Sequence, residues 1–239
     1  MITDTIQTKY GNITIPKNDH YIRNSLIQQK VWEKHLCDFF ESSLTEGDIV
    51  IDAGSFVGTH ALVMSKAVGD SGIVHAFEPG PFYILVNQNA IQNNRKNIIV
   101  HHKGLSDEES VMYIPTINEE KYEIQKNWGA IVLQPVKSDN MDEVLVVTLD
   151  SLRIEGKIKL IKIDTEGMEL KVLYGAEKLI IRDKPILVVE IHNPGSDHFK
   201  KVVSYLDETL GYNMTRNFIC DDVYGKYGTY DYLFLPKAC

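Results

Sequence analysis

The sequence predicts an α/β protein with a mostly parallel sheet and helices on both faces. Three observations carry this. Short apolar runs of strand length recur and alternate with segments of helical periodicity. The first run, Ile49 to Ile51, passes through Asp52-Ala53-Gly54 into a glycine turn and a helix, and a second run, Ile73 to Phe77, closes on Glu78-Pro79. The main apolar runs end on ionisable residues, Asp52, Glu78, Asp164 and His192, at the sheet edge where such folds bind ligands.

In order along the chain, residues 9–17 read as a short strand limited by Pro16. Ser25 to Phe40 has helical spacing through Leu26, Val31, Trp32, His35, Leu36, Phe39 and Phe40, and reads as an accessory helix with Trp32 as a packing anchor. The βαβ unit follows, with an amphipathic helix expected over His60 to Val68. Phe82 to Asn93 reads as a helix, and Ile98 to His102 as a strand leading into Gly104-Leu105-Ser106. Residues 111–150 break the rhythm, with short apolar runs at 111–114, 130–133 and 144–149, and Trp128 at a turn. They read as a small β insertion, too short to bury a core of its own. The alternation resumes with a strand at Ile158 to Asp164, a helix at Met168 to Ile181, a strand at Pro185 to His192 and a helix at Ser196 to Leu210. Tyr212 to Ile219 and Thr229 to Leu235 read as a closing strand pair. A single domain is expected, with residues 1–44 as an N-terminal accessory segment and 45–239 as the core.

Composition narrows the function. Apolar residues make up 44% of the 239, which suffices for a sizeable core. The net charge of −8 gives no basic footprint for nucleic acid. Cys37, Cys220 and Cys239 are odd in number and scattered, which suits a reducing compartment rather than a disulfide framework or zinc site. The first residues lack the basic and apolar regions of a signal peptide, and no apolar run approaches membrane-spanning length. A cytoplasmic protein without a membrane or nucleic-acid partner is expected; the sequence leaves its oligomeric state open.

The βαβ unit suits an adenosine ligand. Gly54 permits a sharp turn and close backbone approach. The helix start near Gly58 presents free N–H groups, and Glu78 can accept hydrogen bonds from ribose hydroxyls. The loop has only G-x-x-x-G spacing, short of the dinucleotide fingerprint. Farther along, alternation puts Lys162 and Asp164 on one side of their strand, and Glu190 and His192 on one side of the next. These groups converge if the strands are neighbours, as a catalytic set or as a structural ion-pair network. Asp164, Glu190 and His192 are also a conceivable Mg²⁺ set, though short of oxygen ligands.

Taken together, Gly47-Asp48, Ile51-Asp52-Ala53-Gly54, Gly58, Phe77-Glu78-Pro79, Leu149-Asp150-Ser151-Leu152 and Ile161-Lys162-Ile163-Asp164-Thr165-Glu166-Gly167-Met168-Glu169 occur in order, followed by Val172-Leu173-Tyr174-Gly175-Ala176. This ordered set resembles the FkbM family of S-adenosylmethionine-dependent methyltransferases over roughly residues 45–192. The resemblance implies the Rossmann-like class I methyltransferase fold, a seven-stranded sheet with a reversed last strand. It also implies O-methylation of a sugar, glycan or small hydroxylated metabolite. By position it assigns Asp52, Gly54, Ser55, Phe56, Gly58, Thr59 and His60 to the methionine half of the cofactor. Glu78 and Pro79 fall at the ribose, Gly104, Leu105 and Ser106 at the adenine, and Asp164 at the cofactor's amino group or the acceptor hydroxyl. Asp164, His192, Glu190 and Lys162 are the catalytic candidates; Trp128, Glu166, Tyr224 and Tyr227 are the acceptor-binding ones. One departure stands out: the family's Ala-Asn after the first loop glycine is Ser55-Phe56 here.

Two other classes fit parts of the sequence. Tyr174 and Lys178 have the Y-x-x-x-K spacing of short-chain NAD-dependent oxidoreductases, against which stands the missing middle glycine of the dinucleotide loop. A cofactor-binding module without catalysis is the other, because fold alone does not fix function.

Overall fold

The computed structural model describes residues 1–117, 126–219 and 229–238. The chain opens with an antiparallel hairpin, β1 (Thr3–Thr8) and β2 (Gly11–Pro16). The expected strand at 9–17 is the second arm. The first arm escapes sequence reading because Ile6 is its one buried residue.

Two short helices follow, α1 (Ile22–Gln29) and α2 (Lys34–Ser43). The single helix expected from Ser25 to Phe40 is therefore broken, at a junction where Lys30 and Glu33 take left-handed φ values of 62° and 45°. No glycine or proline announces the break. One tertiary and one local bond stabilise it: the Lys9 N–H donates to the Lys30 carbonyl at 2.9 Å, and the Ser25 hydroxyl to the Val31 carbonyl at 3.0 Å. The break swings Trp32 and Glu33 over the edge of the main sheet.

The central unit runs β3 (Ile49–Ala53), α3 (Thr59–Ala67), β4 (Ile73–Phe77), α4 (Tyr83–Gln92) and β5 (Ile98–His101). Helix α3 is buried continuously from Thr59 to Ser65 rather than amphipathic, because α2 packs on it from outside. The insertion forms a second sheet of β6 (Gly104–Leu105), β7 (Ser110–Pro115) and β8 (Met141–Val147), in the order β6-β8-β7. The run at 130–133 is not a strand; its neighbour Gln134 makes one antiparallel bridge to Tyr113.

The rhythm resumes with β9 (Ile158–Ile163), α5 (Glu169–Tyr174), α6 (Glu177–Asp183), β10 (Ile186–His192) and α7 (Asp197–Ser204). The one helix expected from Met168 to Ile181 is two, divided at Gly175-Ala176. A Cβ on Gly175 would lie 1.9 Å from the Ser106 carbonyl oxygen, so only glycine allows this approach to the β6 end. The chain closes on β11 (Tyr212–Ile219) and β12 (Thr229–Pro236).

The main sheet has seven strands in the order β11-β12-β10-β9-β3-β4-β5. Strands β5, β4, β3, β9 and β10 are parallel, and β12 is antiparallel to both its neighbours. This is the expected Rossmann-like sheet with its reversed last strand. Alternation splits the core. Ile51, Ile161 and Leu187 face α5, α6 and the second sheet, while Val50, Leu160 and Val188 face α2 and α3. A third apolar cluster joins the N-terminal hairpin and α1 to Phe56, Leu62, Phe82 and Trp128. Among the described residues, no helix is long and apolar enough to cross a membrane.

Candidate active site

A cavity of about 500 Å³ opens at the carboxyl ends of β3, β4, β9 and β10. Its floor is strand ends and the loops after them. Its roof comes from Tyr21, Trp32 and Glu33 on one side and Asn127 to Ile131 on the other. Asp19 ties the two roof segments together: its carboxylate accepts from the Tyr21 and Arg23 N–H groups at 3.1 and 3.2 Å, and from the Trp128 N–H at 3.2 Å.

The loop after β3 is held in an unusual conformation. Gly54, Phe56 and Gly58 all have positive φ, at 85°, 49° and 83°. A Cβ on Gly54 would lie 1.7 Å from the Asp164 carbonyl oxygen, so this glycine lets two strand ends meet under the cavity. Phe56 is costly in the left-handed region. It is held there by its N–H, which donates to Glu78 Oε2 at 2.9 Å, and by its ring, which packs edge-on against Phe82 at 4.8 Å. The Gly80 N–H donates to the other Glu78 oxygen at 2.7 Å. Each oxygen still has a lone pair for a ribose hydroxyl. Burial pushes Glu78 up to about 8, against the pull of these two N–H donors.

That shift predicts a pH dependence. A carboxyl that folding raises from its ordinary value to about 8 binds a proton that the unfolded chain has released. Its contribution is present below the unfolded value and is lost as pH rises to about 8. His192, held above its ordinary value, acts in the same direction as pH rises past about 6.5. Urea denaturation of the ligand-free protein should show stability falling from about pH 4.5 to about 8, with Glu78→Gln flattening the decline. An equal slope in both proteins would contradict a buried, protonated Glu78.

Lys162, on β9, extends between the end of β3 and the loop after β9. Its Nζ is 3.0 Å from Asp164 Oδ2, 3.6 Å from Asp52 Oδ1 and 3.4 Å from the Gly54 carbonyl. Burial alone would lower the lysine pKa, but the Asp164 and Asp52 carboxylates outweigh it and hold Lys162 above its ordinary value. In return, Lys162 outweighs the burial of Asp164 and holds that carboxyl down at about 2. Burial and the Asp164 charge drive Glu190 well above the usual carboxylate range, so Glu190 keeps its proton and donates to Asp164. His192 Nε2 lies 3.2 Å from Glu166 Oε2 and 3.8 Å from Glu190 Oε2. The Glu166 hydrogen bond holds His192 above its ordinary value.

Most of the residues singled out from the sequence line this cavity: Gly54, Ser55, Phe56, Thr59, His60, Glu78, Pro79, Gly104, Leu105, Trp128, Lys162, Asp164, Glu166, Glu190 and His192. Three do not. Asp52 sits beneath, as the partner of Lys162. Gly58 packs on Val86. The Ser106 hydroxyl turns away to Asp107 Oδ1 at 2.9 Å. Tyr224 and Tyr227 lie outside the described residues. His192 pairs with Glu166 rather than Asp164, because β10 runs past the end of β9 and carries His192 beyond the Lys162–Asp164 pair. The conceived Mg²⁺ set does not fit either. Glu166, Glu190 and His192 bring donor atoms within 4.8 Å of one another, but Asp164 is committed to Lys162, Glu190 to Asp164 and Glu166 to His192.

Sequence reading missed Tyr21, Lys103 and Asn127 in the lining, and it ranked ligand contact by Trp32-Glu33 below a packing role for Trp32, whereas both line the cavity. These residues come from irregular segments, whose positions no periodicity encodes. The Tyr174–Lys178 dyad is absent as a site. Tyr174 ends α5, stands 44% exposed and packs on Tyr205, while Lys178 belongs to α6 beyond the break.

Comparison with known proteins bears on the family and the fold. The profile described as "Methyltransferase FkbM domain" matches residues 52–214. Methyltransferase sdnD of Sordaria araneosa is 25% identical over 227 residues, covering 82% of this chain and 85% of the relative. Among solved structures, Aeropyrum pernix fibrillarin with natively bound S-adenosyl-L-methionine superposes with a TM-score of 0.52 at 13% identity, covering 98% of this chain and 82% of its own. Methyltransferase FkbM from Methylobacillus flagellatus gives 0.50 at 16% identity, covering 90% of this chain and 55% of its own. With the family profile covering most of the chain, this protein belongs to the FkbM family of S-adenosylmethionine-dependent methyltransferases.

Proposed function

We propose that the protein methylates a hydroxyl oxygen of a sugar, glycan or small hydroxylated metabolite. The observation that carries this reading is one cavity with two chemically distinct ends. The glycine loop and Glu78 form one end; the Glu166–His192 pair forms the other, with Asp164 and Glu190 between them. Bound S-adenosylmethionine supplies a methyl group already activated on a sulfonium.

The chain supplies position and a proton acceptor. Gly54 and the backbone around Phe56 leave room for the methionine half, and Glu78, once it releases its proton to solvent, accepts from the ribose hydroxyls. With the His192 Nε2–H donating to Glu166, Nδ1 is the basic nitrogen. The acceptor's hydroxyl proton would pass to Nδ1 as its oxygen bonds to the methyl carbon and the carbon–sulfur bond breaks, S-adenosylhomocysteine being the leaving group, and the Glu166 carboxylate would stabilise the imidazolium that results. Orientation of this kind contributes about 7–11 kcal/mol in favourable cases. A positioned base adds about 10²–10⁴-fold.

The lining supports a small acceptor over nucleic acid. Among the described residues it carries the carboxylates of Glu33, Asp164 and Glu166 against Lys103 and Lys162, without the basic excess that a phosphate backbone calls for. Cys37, a buried free thiol, suits the cytoplasm. In calorimetry and thermal melts, S-adenosylmethionine and S-adenosylhomocysteine should bind and raise the melting temperature, while NAD should do neither. Labelled methyl should then pass to a hydroxylated member of an acceptor panel. Absence of binding by either compound at about millimolar concentration would refute the reading.

A further inference from the structure

Glu169 is the first residue of α5 and is 2% exposed, yet its side chain never reaches the cavity. It grips the loop that carries Glu166. Glu169 Oε1 accepts from the Gly167 N–H at 2.8 Å, the Thr165 N–H at 3.3 Å and the Thr165 hydroxyl at 3.2 Å. These donors come from the residues immediately before and after Glu166. Its other oxygen, Oε2, lies 2.8 Å from His198 Nε2 on α7. Between the two gripped residues, Glu166 holds φ of 51°, a conformation that a non-glycine residue adopts at a cost. In that conformation its carboxylate meets His192.

We propose that Glu169, braced by His198, is a positioning residue that holds Glu166 in hydrogen-bond register with His192. The proposal rests on the reading of His192 as the proton acceptor. Without the brace, the loop relaxes toward an ordinary φ and the Glu166 carboxylate leaves the imidazole. His192 then loses the hydrogen bond that raises its proton affinity. The other titratable groups facing His192 are Glu190 on its own strand and Asp164 and Glu169 across from it, and none of these replaces the direct bond.

The test follows the ring protons of His192 by NMR through a pH titration, with the signal assigned by its loss in His192→Ala. In the wild type the midpoint should lie above the ordinary value of about 6.5. Glu169→Ala should return it toward that value, lower kcat about tenfold or more and leave S-adenosylmethionine affinity unchanged. Glu169→Gln keeps an oxygen acceptor for Thr165 and Gly167 and should retain the raised midpoint. His198→Ala removes only the outer brace and should shift the midpoint part of the way, which keeps the test available if Glu169→Ala does not fold. An unmoved midpoint in a folded Glu169→Ala, or in His198→Ala where Glu169→Ala does not fold, overturns the proposal, as does an equal shift in Glu169→Gln. The titration needs no acceptor. Absence of methyl transfer in the wild type would therefore count against the function and not against the brace.

Discussion

Lys162→Met should lower the free energy of unfolding by about 3–5 kcal/mol in urea titrations, the usual cost of removing one partner of a buried ion pair. Lys162 is 2% exposed and is the cation shared by two carboxyl groups, Asp52 and Asp164, within 3.6 Å. Methionine has similar length but leaves both without a counter-charge, and Asp52 is fully buried. The double variant Lys162→Met, Asp52→Asn removes one charge of each sign and should recover part of the loss. A single-variant loss below about 1 kcal/mol, the range of exposed pairs, would show that the charges are solvated instead. The pair also has an acid signature. Asp164, held at about 2 beside Lys162, contributes stability above its unfolded value that is lost as pH falls toward about 2.

His192→Ala should lower kcat by at least about 10²-fold, the low end for a general base, with S-adenosylmethionine affinity unchanged. In the wild type, kcat/KM should rise with pH as His192 loses its proton and then level off. Because Glu166 raises the His192 pKa, that limb should lie above about pH 6.5. Glu166→Gln should move it to lower pH, since the neutral amide no longer favours the imidazolium. Asp164→Asn should also lower kcat, by loosening Glu190 and Lys162 together. Full activity in His192→Ala would assign the proton to another group, and loss of wild-type activity in EDTA, restored by Mg²⁺, would assign the Glu166–Glu190–His192 cluster to a metal.

Much of this site was legible because strand ends are legible. An apolar run that stops on Asp52, Glu78 or His192 marks the edge of a buried strand, and a glycine just beyond it marks a turn with no room for a side chain. The order of those signals also carried the family. Where sequence reading failed, long-range bonds had overridden local periodicity. The apparent helix from Ser25 to Phe40 breaks because the Lys30 carbonyl finds its partner in Lys9, outside the stretch, while the Ser25 hydroxyl takes the Val31 carbonyl. The helix after Glu169 breaks because Gly175 must meet the Ser106 carbonyl.

By itself, the sequence determined the alternating α/β order, the parallel core and the residues at its carboxyl edge, because period and run length encode each locally. The tertiary structure alone decided which of those residues touch. Lys162 reaches Asp52 through the pairing of β3 with β9, and His192 meets Glu166 because β10 outruns β9 while Glu169 and His198 hold the intervening loop. Strand register and the path of an irregular loop are set by contacts between distant segments, and no local pattern records them.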